Sequence, residues 1–141
     1  MKNILSKIQQ IYIKLEAEEE TVLSLMLSAS GSLNRMGDGS GDSEFGRFFM
    51  GNTQKPLFKK LIQSINPKVF ELAGRYELPY ESGEHINLTI HCKGDDLDTG
   101  FEFSFGSESM GPPEEILAIV EKAVELTDGW YEEQLEKNRR N

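Results

Sequence analysis

Asp38, Ser40, Asp42 and Glu44 carry oxygen at alternate positions of a glycine-rich stretch, the spacing with which an EF-hand loop begins to ligate calcium. That loop also needs glycine at its sixth position and glutamate at its twelfth, and Ser43 and Phe49 stand there. The same stretch offers a Gly-x4-Gly frame, Gly41 to Gly46, of the kind that cradles phosphate. Arg47 and Phe48 follow where a P-loop requires Lys and then Ser or Thr, and the neighbouring acids repel an anion. Asp95, Asp96 and Asp98, with Glu102, could hold a hard cation or exchange protons if buried together, but their setting is that of a solvated turn. His85, His91 and Cys92 are zinc-ligand types. Adjacent strand residues point to opposite faces, so His91 and Cys92 do not share a metal. Cys92 reads as a small buried hydrophobe. No nucleophile-elbow sequence is present. No cofactor or metal is implied.

These residues hang on elements of two periods. Ile4, Ile8, Ile11 and Leu15 recur at helical spacing, which predicts an amphipathic helix over residues 2–18, stopped by Glu16, Glu18, Glu19 and Glu20. From Leu23 to Asn34 the pattern alternates as in a strand, with serines on the open face. The glycine-rich segment follows, and Phe45, Phe48, Phe49 and Met50 predict a strand returning against the first. Leu57, Phe58, Leu61, Ile62 and Ile65 stripe a helix, and Asn66-Pro67 starts a second, short one. Arg75 to Gly83 reads as loop. Ile86 to Cys92 and Phe101 to Phe105 alternate as two strands joined by a long connection, Lys93 to Gly100. Gly111-Pro112-Pro113-Glu114-Glu115 opens a C-terminal helix, with Gly129 a place for a kink and 137–141 a frayed tail. Trp130-Tyr131 lies in its stripe and reads as core more than as interface.

The expected fold is therefore one α+β domain spanning 1–141. It has an antiparallel sheet of about four strands, helices packed mainly on one face, and a helix at each terminus. Leu25, Leu27, Leu88, Ile90, Phe101, Phe103 and Phe105 should lie on the helix-covered side.

The chain has 141 residues and a formal net charge of −9. That balance opposes binding to nucleic acid, whose affinity rests on Lys and Arg replacing counterions, and suits a basic protein partner. A single cysteine excludes an intrachain disulfide. No signal-peptide core and no apolar run long enough for a membrane helix is present, so a cytoplasmic protein without membrane contact is expected.

In order of elements, paired strands, hairpin over Ile86–Phe105 and acidic charge, the chain resembles the small immunity proteins of bacterial polymorphic-toxin systems. No motif or functional residue carries over, and the segment Ser30–Gly51 departs from that pattern. The resemblance implies a protein-binding role. The first functional expectation is thus a non-enzymatic protein-binding module, with Asp38, Asp42, Asp95, Asp96 and Asp98 as contact candidates. The alternative is a small enzyme or ligand-binding protein that uses the glycine-rich loop 37–46 as a lid and Arg35, Arg47 and His91 as polar site residues.

Overall fold

The computed structural model describes residues 4–39, 47–80 and 82–139. After a 3-10 turn at Ile4–Lys7 come strands β1 (Ile8–Ala17), β2 (Glu20–Ser28), β3 (Ser32–Gly37) and β4 (Phe48–Asn52). Helix α1 (Leu57–Ser64) and a 3-10 helix (Pro67–Leu72) follow. Strands β5 (Gly74–Glu77), β6 (His85–Gly94) and β7 (Leu97–Gly106) lead to helix α2 (Glu114–Arg139). The strands form one seven-stranded sheet in the order β4-β3-β2-β1-β6-β7-β5. Every pairing is antiparallel except β5 with β7, which is parallel.

The architecture is α+β, but it overturns the expectation of about four antiparallel strands and of a helix at the N-terminus. Residues 8–17 form the central strand. Ile11, Ile13 and Leu15 follow strand alternation toward the helix layer. Gln9 is the extra residue of a bulge opposite Lys93 and Gly94, and the bulge returns Ile8 to the same face. Ile8, Ile11 and Leu15 therefore keep a helix-like spacing inside a strand. Of the glutamates expected to stop a helix, Glu16 lies in β1, Glu18 and Glu19 form the β1–β2 turn, and Glu20 begins β2. Glu18 and Glu19 take φ of 49° and 68° there, and Ala17 pairs with Glu20.

The stretch read as one strand from Leu23 to Asn34 is two strands. Gly31, at φ 97°, donates its amide to the Ser28 carbonyl at 3.1 Å and closes the turn. Leu27 pairs with Leu33, so the turn preserves inward parity and leaves the alternation unbroken. Part of the Arg75–Gly83 segment read as loop is β5. The connection between β6 and β7 is also shorter than expected: Gly94 pairs with Leu97, and Asp95-Asp96 make the turn. α2 runs through Gly129 without a break and reaches Arg139.

One face of the sheet carries the core. Ile11, Leu25, Leu27, Leu88, Ile90, Phe101 and Phe103 are buried against Leu57, Leu61, Val69, Ile116, Ile119 and Ala123 of the helix layer, with Phe105 partly buried at the margin. Phe70 meets Phe101 edge-on at 5.7 Å, and Tyr76 of β5 stacks on Phe103 at 4.9 Å. On the other face, Tyr12, Met26, Asn34 and Met50 lie in one cross-strand row, and Lys14, Ser24, Met36 and Phe48 in the next. None of those eight is buried.

Glu19 holds a left-handed conformation that an L side chain adopts at a cost of roughly 1–2 kcal/mol. Its side chain is exposed. Glu19→Gly is therefore expected to stabilise the protein by about 1 kcal/mol, raising the melting temperature by roughly 2–4 °C. A lower melting temperature in calorimetry would refute a strained turn at this position.

Candidate functional site

Arg35 is the largest buried side chain and one of only two buried polar or charged residues among those described. Strand alternation in β3 points it inward beside Leu33, under the C-terminal half of α2. A buried guanidinium is tolerated only if it is paired and hydrogen-bonded. Nη1 lies 2.7 Å from Asp128 Oδ1, 3.1 Å from Thr127 Oγ1 and 3.2 Å from the Val124 carbonyl, and Nε donates to the Gly37 carbonyl at 3.1 Å. The guanidinium carbon sits 4.7 Å from the centre of the Tyr131 ring, a cation–π contact.

Tyr131 extends this cluster to the glycine-rich loop. Its hydroxyl accepts from the Gly37 amide at 3.0 Å and donates to the Arg47 carbonyl at 2.7 Å. One hydroxyl thus ties both ends of the segment 38–46 to α2. Burial pushes this hydroxyl above the usual tyrosine pKa, against the opposing pull of the Gly37 amide and Arg35, which favours the protonated form that donates to Arg47. Phe49 meets the same ring edge-on at 5.7 Å. A Cβ on Gly51 would come within 2.9 Å of Trp130, so this end of β4 packs directly on α2. Arg35 is therefore enclosed by the fold. The signal that could have shown this is its inward parity between Leu33 and Gly37.

The other residues singled out in the sequence do not converge. Asp42 and the rest of 40–46 lie outside the described residues. Asp38 follows Gly37, whose strand partner is Leu23; Leu23 in turn pairs with Leu15. Asp95 and Asp96 follow Gly94, which pairs with Ile8. Leu15 and Ile8 are seven positions apart on β1, so the two acidic turns stand on the order of 20 Å apart, at opposite ends of the strands. Asp95 Oδ2 accepts from Gln9 Nε2 at 3.2 Å. Asp98 contacts His91 Nε2 on the helix-free face. Arg47 is exposed and joins the cluster above only through its carbonyl. Among the described residues, no group of three or more His, Cys, Asp or Glu is placed to hold a metal ion.

Two surface features emerge only in the folded chain. Glu114, Glu115, Glu121, Glu125, Glu132, Glu133 and Glu136 are all exposed on α2, so much of the negative charge lies on the helix layer. The helix-free sheet face has mixed charge and an apolar patch. Phe48 is 49% exposed and Met50 71% exposed; Phe48 pairs with half-buried Met36, and Asn34 stands between Met50 and the half-buried Met26–Tyr12 pair. No known protein-family model matches the sequence, and comparison with functionally curated proteins returns no match. No helix among the described residues is long and apolar enough to cross a membrane.

Two outcomes follow from this chemistry. Tyr131→Phe removes the partner of the buried Gly37 amide. It should cost roughly 1–3 kcal/mol in denaturant unfolding and speed hydrogen exchange at Gly37. Unchanged stability and exchange would show that the hydroxyl does not hold the loop base. Burial also pushes the Cys92 thiol from 9.0 up to about 12. The folded state then keeps a proton that the unfolded chain releases above pH 9.0. The thiol's contribution to stability is intact below pH 9.0 and is lost as pH rises toward about 12. At pH 8, iodoacetamide should label Cys92 only as fast as the protein unfolds. Labelling at the rate of a free thiol would contradict its burial.

Proposed function

We propose that this chain is a non-enzymatic protein-binding module of the immunity type, whose partner is a basic protein that docks on the helix-free face of the sheet. The single observation that carries the reading is that face: Tyr12, Met26, Met36, Phe48 and Met50 give it a largely apolar patch, interrupted by Asn34, with no described element packed over it. Methionine is flexible and polarisable, and methionine-rich surfaces adapt to a partner's shape. Edge strand β4 borders the patch and, among the described residues, has one side without a strand partner. Its sequence, Phe-Phe-Met-Gly-Asn, contains neither charge nor proline, the usual guards of an exposed edge. Opposite edge β5 is short and carries Arg75 and Glu77.

Charge and apolar contact take separate roles in this reading. The net charge of −9 attracts a basic partner at long range and raises its association rate. The sheet face supplies the buried area that holds it. The acidic turn residues Asp38, Asp95, Asp96 and Asp98 contribute to the attraction as parts of the general field.

The double variant Phe48→Thr/Met50→Thr keeps strand-forming residues at two exposed positions. In parallel affinity captures from the native host, wild type is expected to retain a basic protein that the variant loses. With the isolated pair, higher salt should slow association, and the variant should raise the dissociation rate by at least about tenfold. A partner that binds both forms equally would exclude the sheet face as the interface.

A further inference from the structure

A second surface lies at the end of the strands away from the glycine-rich loop. The 3-10 turn Ile4–Lys7, the β2–β3 turn, the link from β4 to α1, and α1 itself enclose a cleft of about 750 Å³. That volume is within the usual range for small-molecule sites, about 300–1,000 Å³. Its apolar wall consists of Leu5, Ile8, Leu27, Phe58 and Ile62. Leu5, Phe58 and Ile62 are only half-buried, so the core leaves part of this wall open to solvent.

The polar lining has one sign of charge. Lys55 and Lys59 line the cleft, and no acidic residue among those described does, in a chain with 24 Asp and Glu against 15 Lys and Arg. Neither lysine is in an ion pair among the described residues. Both are exposed, so each can move toward a ligand. α1 starts beside them with no side-chain cap, and its dipole adds positive potential at the same place. Ser28 and Ser30 bring hydroxyls to the wall across from α1.

We infer that this cleft is a binding site for an amphipathic carboxylate, an unbranched or aryl-alkyl acid of medium length. Its apolar body lies along Leu27, Phe58 and Ile62, and its carboxylate meets Lys55 and Lys59. The cleft's pairing of an apolar wall with acid-free cationic lining selects that chemistry over a neutral or cationic amphiphile. The site is distinct from the sheet patch assigned to a protein partner and does not depend on that assignment.

Sodium octanoate, octanol and octylammonium, each kept below its aggregation limit, are titrated into the ¹⁵N-labelled protein and followed by amide chemical shifts. Octanoate is expected to saturate, with its shifts gathered at Ser28–Gly31 and Phe58–Gln63. Octanol should bind more weakly and octylammonium should not bind. Lys55→Glu/Lys59→Glu should bind octanoate at least about tenfold more weakly while its remaining amide spectrum shows the fold intact. The inference is overturned if octanoate produces no saturable shifts at these residues, if octanol binds as tightly, or if the folded double variant keeps wild-type affinity. Lys55→Arg/Lys59→Arg retains both charges and should retain binding; loss there together with an intact fold would also count against a charge-based site.

Discussion

The buried guanidinium of Arg35 is the constraint that the rest of the fold accommodates. A cation withdrawn from water needs a full set of acceptors, or the fold loses several kcal/mol. Thr127, Asp128 and Tyr131 supply that setting from consecutive turns of α2, and the Val124 and Gly37 carbonyls complete it. Satisfying Arg35 therefore fixes both the rotation and the axial position of the long helix over β3. The glycines follow from the same docking. Gly51 allows Trp130 to approach β4, and Gly37 sits so close to the Val22 carbonyl that a side chain would collide with it. The residue that looked available for ligand chemistry is thus the one that aligns sheet and helix.

That alignment divides the surface into three chemically different regions. The outer side of α2 is densely acidic. The helix-free sheet face has a methionine-lined apolar patch beside edge strand β4. The end of the strands near α1 has a cleft with cationic and apolar lining. A two-layer fold exposes one whole sheet face unless something else covers it. Here that face carries larger apolar side chains near β4 and mostly polar ones near β7, a contrast that local propensity does not require. The raised pKa of Cys92 comes from burial alone and has no charged partner in a cleft.

Much of the fold was legible from local pattern. The β6 and β7 strands, α1, the start of α2 and most of the inward-facing core follow from alternation of period 2 or a helical stripe. Three features misled that reading for physical reasons. The bulge at Gln9 shifts Ile8 onto the inward face, so Ile8, Ile11 and Leu15 imitate a helix. The Ser28–Gly31 turn preserves parity, so two strands imitate one. The parallel pairing of β5 depends on β7, whose paired residues lie 27 positions further on, and its four residues carry no apolar alternation of their own. The candidate site was less legible: Arg35 and Asp128 are 93 residues apart, and nothing local marks them as partners.

The sequence by itself determined the mixed α+β character of the fold, though not the number or direction of its strands, the inward identity of most core residues, the acidic balance and the lack of any intrachain disulfide. These depend on residue type and near-neighbour spacing, which the chain carries regardless of its path. Tertiary structure alone decided that the N-terminal segment is the central strand, because its unpaired backbone groups find partners on both sides, in β2 and β6. It also decided which charge is enclosed, which lysines share a cleft and which apolar side chains pair across strands on the helix-free face. Those outcomes are distances between residues remote in sequence, and only packing around the shared core sets them.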